Sequence, residues 1–237
     1  HKIVGGDIHQ AIYQFRGSKN ALADFQQFAS QTFYLTNSFR FNDTIAAYAS
    51  SVLKYFKAER NAVIGKGSDG EIKVIKSSFK KISPGATILA RRNATLFKIA
   101  VEALADGKKG HFAGGIAKYD LDLLTAIANL EIGAAIVHPF VKRFKNLNTI
   151  ETYAENVGES DILMFTKLVK QNTGKNILAT IKKLLALDEW VLANPLKNIS
   201  LCDYLLTTAH RSKGLEFEKV IIADDFNELY QLIEDGS

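Results

Sequence analysis

The sequence predicts an α/β fold: a parallel sheet flanked by helices and interrupted by an inserted all-helical subdomain. Three observations carry this reading. Short apolar or β-branched runs alternate with helix-spaced segments through the first half of the chain, as in βαβ units. From Leu121 to about Leu196 the apolar spacing turns purely helical. Strand-like runs then resume at Tyr204-Leu205-Leu206 and Val220-Ile221-Ile222-Ala223.

Each element has its own signal. Ile3-Val4 reads as the end of a buried strand, and Gly5-Gly6 turns the chain as it leaves the sheet. Residues 19 to 30 form a short helical connector with Leu22, Phe25 and Phe28 on one side. Thr32-Phe33-Tyr34-Leu35 has the composition of a strand. Asn42 or Asp43 caps a helix whose apolar positions Ile45, Tyr48, Val52, Tyr55 and Phe56 predict a core face. Gly65-Lys66-Gly67-Ser68-Asp69-Gly70 matches a dinucleotide-binding glycine pattern, but that fingerprint opens a helix. Here an alternating strand, Glu71 to Ile75, is expected to follow, so the glycines are read as a turn.

Pro84-Gly85 turns into the compact strand Ala86 to Ala90. Asn93 is the expected cap of a helix carrying Leu96, Ile99, Ala103 and Leu104, which Gly107 closes. His111-Phe112-Ala113 returns as a strand into Gly114-Gly115. Leu123, Leu124, Ile127 and Leu130, then Ile162, Phe165, Leu168 and Val169, then Ile177, Ile181, Leu184 and Leu185 mark the helices of the insert. Pro139 and Pro195 are its expected joints.

Composition narrows the function classes. The 237 residues are 47% hydrophobic and 23% charged, the balance of an ordinary globular protein. No apolar run approaches the roughly 20 residues that cross a bilayer, so no membrane partner is expected. The opening His1-Lys2-Ile3 has no signal-peptide pattern. A single cysteine, Cys202, forms no internal disulfide and has no zinc-ligand spacing around it, and no metal site is predicted. The net charge of +5 favours a polyanionic partner.

Three polar and aromatic clusters sit at strand ends and are expected to converge on one sheet edge, where open α/β sheets bind ligands. They are Gly6 to Ser18, Thr36 to Phe41, and Thr207 to Phe217. Together they resemble the UvrD/Rep type of superfamily 1 DNA helicases. The first is similar to that family's motif III, Leu35 to Phe41 to its motif IV, and Thr208 to Phe217 to its motif V. Ile88 to Asn93 and Phe112 to Gly115 resemble the segments between them. The phrases at His1-Lys2, Phe33-Tyr34-Leu35-Thr36 and Asp224-Asp225-Phe226 lean toward the F-box helicase branch.

The resemblance implies a RecA-like sheet and a role for each cluster. Gln10 would touch the γ-phosphate or the attacking water, for which an amide suits because it donates and accepts without charge. Phe15 would stack on a base of single-stranded DNA, and Arg16 would lie between DNA and nucleotide. Phe39 would stack on adenine, and Arg40 would act as an arginine finger on the γ-phosphate. Thr208 and His210 would contact the DNA backbone or the first cluster. Gly214 would allow close backbone approach, and Glu216 would accept from the ribose hydroxyl. ATP with Mg2+ would be the nucleotide, and single-stranded and 3′-tailed duplex DNA the substrates, with a monomeric motor acting in DNA repair.

The resemblance also implies boundaries. Residues 1–30 would be a remnant of a first RecA-like domain, 31–130 with 201–237 the second RecA-like domain, and 131–200 a helical, accessory-domain-like insertion. No Gly-x-x-x-x-Gly-Lys-Ser/Thr phosphate loop occurs in the 237 residues. The chain therefore reads as the C-terminal motor part of a 3′-5′ helicase, inactive alone, from the bacterial cytoplasm or a eukaryotic nucleus. The rival reading is a non-catalytic nucleic-acid-binding or scaffold module with a helicase-like fold.

Overall fold

The computed structural model describes residues 2–10, 21–67, 70–73 and 84–226. They divide into two compact units, one within residues 1–75 and one within 76–227.

The regular elements described in the first unit are helical, apart from one isolated bridge. Helix α1 spans Ala21–Gln26 and α2 spans Asp43–Lys57. Asn42 caps α2 as expected, its side-chain oxygen accepting from the Ile45 N–H at 3.0 Å. The strand expected at Thr32 to Leu35 does not form. Its neighbourhood has one isolated parallel bridge, Asn37 with Ile64, and Leu35 is 100% exposed. Aromatic and β-branched residues favour a pleated surface, yet among the described residues the one bridge nearby is to Ile64. Residues 71–73 likewise form no strand, while 74–75 lie outside the described residues. The α2 face is not core either: Ala46 is its buried residue, whereas Ile45, Tyr55 and Phe56 are exposed. Tyr48 and Val52, in the middle of that stripe, are half-buried.

The glycines at 65 to 70 have a structural use that the fingerprint reading conceals. A Cβ on Gly65 would stand 2.3 Å from the Asn42 carbonyl carbon, and one on Gly70 would stand 1.9 Å from the Asn42 side-chain nitrogen. Only a bare backbone fits so close to the α2 cap. Gly67, at φ +80°, bends the chain so that its carbonyl accepts from the Asp43 N–H at 2.9 Å. The turn reading is thus correct for the described glycines; Ser68 and Asp69 lie outside the described residues.

The second unit is a four-stranded, all-parallel sheet with helices on it, a mixed α/β architecture consistent with a RecA-like fold. Strands β1 (Ala86–Ala90), β2 (Gly110–Phe112), β3 (Tyr204–Thr208) and β4 (Val220–Ile222) run in the order β2-β3-β1-β4. Ala86 pairs with Tyr204 and Ala90 with Thr208, so β1 and β3 end level. Helix α3 (Asn93–Ala105) makes the crossover from β1 to β2. The chain then runs through α4 (Leu121–Glu131), α5 (Leu147–Val157), α6 (Ser160–Asn172), α7 (Gly174–Ala193) and the short α8 (Pro195–Asn198). Only after this excursion does β3 enter between β1 and β2.

Helix α3 packs on the sheet and closes on Gly107 at φ +70°. There the Lys108 N–H reaches the Ala103 carbonyl and the Gly107 N–H the Leu104 carbonyl, a Schellman ending. The start of α3 differs from expectation. Asn93 is not its cap: it is the first helical residue, and its amide nitrogen donates to Asp120 Oδ2 at 2.7 Å. The Ala94 N–H is met instead by Asp161 Oδ1 at 3.4 Å, from α6. Helices and sheet share one hydrophobic core. Phe165 of α6, Phe97 of α3, Phe112 of β2 and Tyr119 form a continuous aromatic chain, with ring centroids 5.7, 5.0 and 5.0 Å apart.

Candidate functional site

The residues singled out by sequence divide between the two units. In the first, Gln10 ends a 3-10 turn, Ile8–Gln10, whose middle residue His9 is tied to Glu59 beyond α2 at 2.8 Å. Glu59 also accepts from the Asn61 and Arg60 N–H groups. These bonds, that of Asn61 first, hold its carboxyl down at about 2. The Gln10 side chain, Phe15 and Arg16 lie outside the described residues.

Phe39 and Arg40 occupy a bend just ahead of the α2 cap. The backbone around them is pinned from both sides. Ser38 N–H donates to Ile64 O at 2.7 Å, and Lys66 N–H donates to Phe41 O at 3.0 Å. With its backbone fixed, Phe39 leaves 78% of its surface exposed, and Arg40 is exposed beside it. A flat aromatic and a guanidinium, adjacent and presented by a rigid bend, offer a stacking face and a planar cationic fork.

In the second unit the parallel sheet brings the ends of β1, β3 and β4 to one edge. Asp225, just past β4 and 8% exposed, accepts the Arg91 and Arg92 N–H groups, one on each carboxylate oxygen, both at 2.9 Å. It therefore fixes the turn between β1 and α3. Burial raises the Asp161 carboxyl above the usual range, against the opposing pull of the Ala94 N–H and of Arg92. Thr208, at the end of β3, is 5% exposed, and its carbonyl accepts from the N–H groups of Arg211 and Ser212. The loop that follows exposes His210 and Glu216, and Gly214 turns it at φ +84°. Arg211 folds inward. Its guanidinium lies 4.7 Å from the centre of the Tyr119 ring and donates to the Lys118 carbonyl.

Beside this edge lies a buried pair, His111 of β2 with Asp188 of α7, at 3.3 Å. Burial holds the His111 imidazole below its ordinary value, although Asp188 opposes the shift. Asp188 Oδ2 also accepts from the Ile116 N–H at 3.2 Å, so α7 is fastened to the glycine turn after β2.

Asp161 and Asp188 thus shape the site without having been named from sequence, and Arg211 and Asp225 lie in the phrases named there but were given no role of their own. For Asp188 a signal existed: with Leu184 and Val191 it lies on the apolar stripe of α7, where an acid requires a partner. Among the described residues no group of three or more His, Cys, Asp or Glu is placed to hold a metal ion. No described helix is long and apolar enough to cross a membrane.

No family model matches the chain. Over 94% of its length it is 30% identical to F-box DNA helicase 1 of Gallus gallus, of which it spans 22%. It is 28% identical, again over 94% of its length, to F-box DNA helicase protein 1 of Schizosaccharomyces pombe (strain 972 / ATCC 24843), of which it spans 26%. The chain spans about a quarter of the length of these curated relatives. This similarity supports a DNA helicase family and a helicase-type segment.

Proposed function

We propose that the chain is the C-terminal motor part of an ATP-dependent 3′-5′ DNA helicase of the UvrD/Rep kind. The observation that carries the proposal is the coincidence of similarity and geometry. The chain is similar to two F-box DNA helicases over nearly its full length, and it builds a parallel sheet with polar loops at the strand ends. Residues 1–30 belong in this reading to a first RecA-like domain, 31–130 and 201–237 to a second, and 131–200 to an accessory helical insertion. Gln10 and Arg40 act on the γ-phosphate, Phe39 stacks on adenine, and Glu216 with Gly214 receives the nucleotide. Phe15, Arg16 and His210 meet single-stranded DNA. Thr208, being buried, serves that contact by holding the root of the His210 loop.

Base stacking and backbone charge contacts are indifferent to sequence, as a translocase requires. Closure of two RecA-like domains around ATP then advances the protein along the strand. In this reading ATP with Mg2+ is the nucleotide of the full-length protein, and these 237 residues supply no phosphate loop to it. The test compares the full-length protein with the 237-residue chain in an ATP turnover assay with oligothymidylate. Turnover stimulated by DNA in the full-length protein and none in the chain is expected. DNA-stimulated turnover by the chain alone contradicts the division of labour proposed, and none in either form favours a non-catalytic nucleic-acid-binding module.

A further inference from the structure

An arginine in a loop that carries a nucleic-acid contact would ordinarily be read as a second phosphate ligand. The geometry points to a different role for Arg211. Its guanidinium is already committed, with one face on the Tyr119 ring at 4.7 Å and an N–H on the Lys118 carbonyl. Tyr119 is a firm support: it is fully buried, packs on Phe112 at 5.0 Å, and donates its hydroxyl to the Ala113 carbonyl at 2.9 Å. Asp188 of α7 grips the same turn through the Ile116 N–H. At its other end Arg211 is held by its own N–H on the Thr208 carbonyl at 3.0 Å.

We infer that Arg211 is a positioning residue, a brace between the loop after β3 and the turn at 113–119 that sets where His210, Gly214 and Glu216 stand. A planar guanidinium suits the task because it can stack and donate at once, whereas an ammonium does one or the other. The brace itself rests only on the geometry above; its consequence for DNA rests on the proposed function.

The two are separated by two measurements on the 237-residue chain. Limited trypsin digestion follows the rate of cleavage after Lys213, which reports local opening of the loop. Fluorescence anisotropy follows affinity for a labelled oligothymidylate across a salt series. Arg211→Ala should accelerate cleavage after Lys213 by at least about threefold, the scale of a cation–π contact. Its thermal midpoint should stay near that of the wild type, because Arg211 is at the surface. Arg211→Lys should restore little protection. Oligothymidylate affinity should fall without a change in its salt slope. Unchanged cleavage in Arg211→Ala overturns the brace. So does a salt slope reduced by about one and restored by lysine, the signature of a phosphate contact. If the wild-type chain binds no oligothymidylate, the proposed function fails while the cleavage rates still decide the brace.

Discussion

Arg40→Ala in the full-length protein is expected to lower DNA-stimulated ATP turnover by roughly 3 to 5 orders of magnitude, the usual contribution of an arginine finger. Single-stranded DNA affinity should remain close to that of the wild type. The reason for a clean separation lies in how the residue is held. The bend at 39–41 is fixed by main-chain bonds from Ser38 and Lys66 and by the glycine turn against Asn42, none of which uses the Arg40 side chain. Truncation removes the charge and leaves these main-chain bonds in place. Arg40→Lys should rescue little, since a point charge on a flexible stem does not reproduce the rigid fork. Equal loss of turnover and DNA binding would assign Arg40 a folding role instead.

The largest stability effect is expected at Asp225. Its carboxylate is the acceptor for two adjacent main-chain N–H groups, those of Arg91 and Arg92. Asp225→Ala leaves both without that acceptor, at a cost of about 1 to 3 kcal/mol each, so about 2 to 6 kcal/mol in all. Asp225→Asn keeps one acceptor oxygen and should lose about half as much. Asp224→Ala, at an exposed neighbour, is the control and should stay within about 0.5 kcal/mol of the wild type. Denaturant titration of the three variants checks this ordering. An Asp225→Ala chain as stable as Asp224→Ala would mean that the β1 end is held by other means.

Elements stabilised by their own sequence were legible, and those that depend on distant partners were not. The strands at Ala86 to Ala90, His111-Phe112 and Tyr204 to Leu206 form because a compact apolar run suits a strand covered by helices, and Val220 to Ile222 forms as an exposed edge strand. Gly107 and Asn42 act where local capping chemistry places them. Asn93 fails as a cap because Asp161, in another helix, supplies the acceptor, and no local pattern reveals so distant a neighbour. Thr32 to Leu35 fails for the converse reason: its composition fits a covered surface, yet these residues are exposed, and the α2 stripe is covered only around Tyr48 and Val52.

The candidate site divides along the same line. Arg40, His210 and Glu216 are proposed from the phrases around them. Their supports, Gly65 for Arg40 and Arg211 with Tyr119 for the loop after β3, emerge only from the approach of segments far apart in sequence.

The central claim is that this chain belongs to a motor moving 3′ to 5′ on single-stranded DNA. Unwinding by the full-length protein of two duplexes, identical but for a 3′ or a 5′ single-stranded tail, tests it most directly. ATP-dependent strand separation of the 3′-tailed duplex, with little of the 5′-tailed one, is the predicted result. Preference for the 5′ tail, or DNA binding without separation of either duplex, would contradict it.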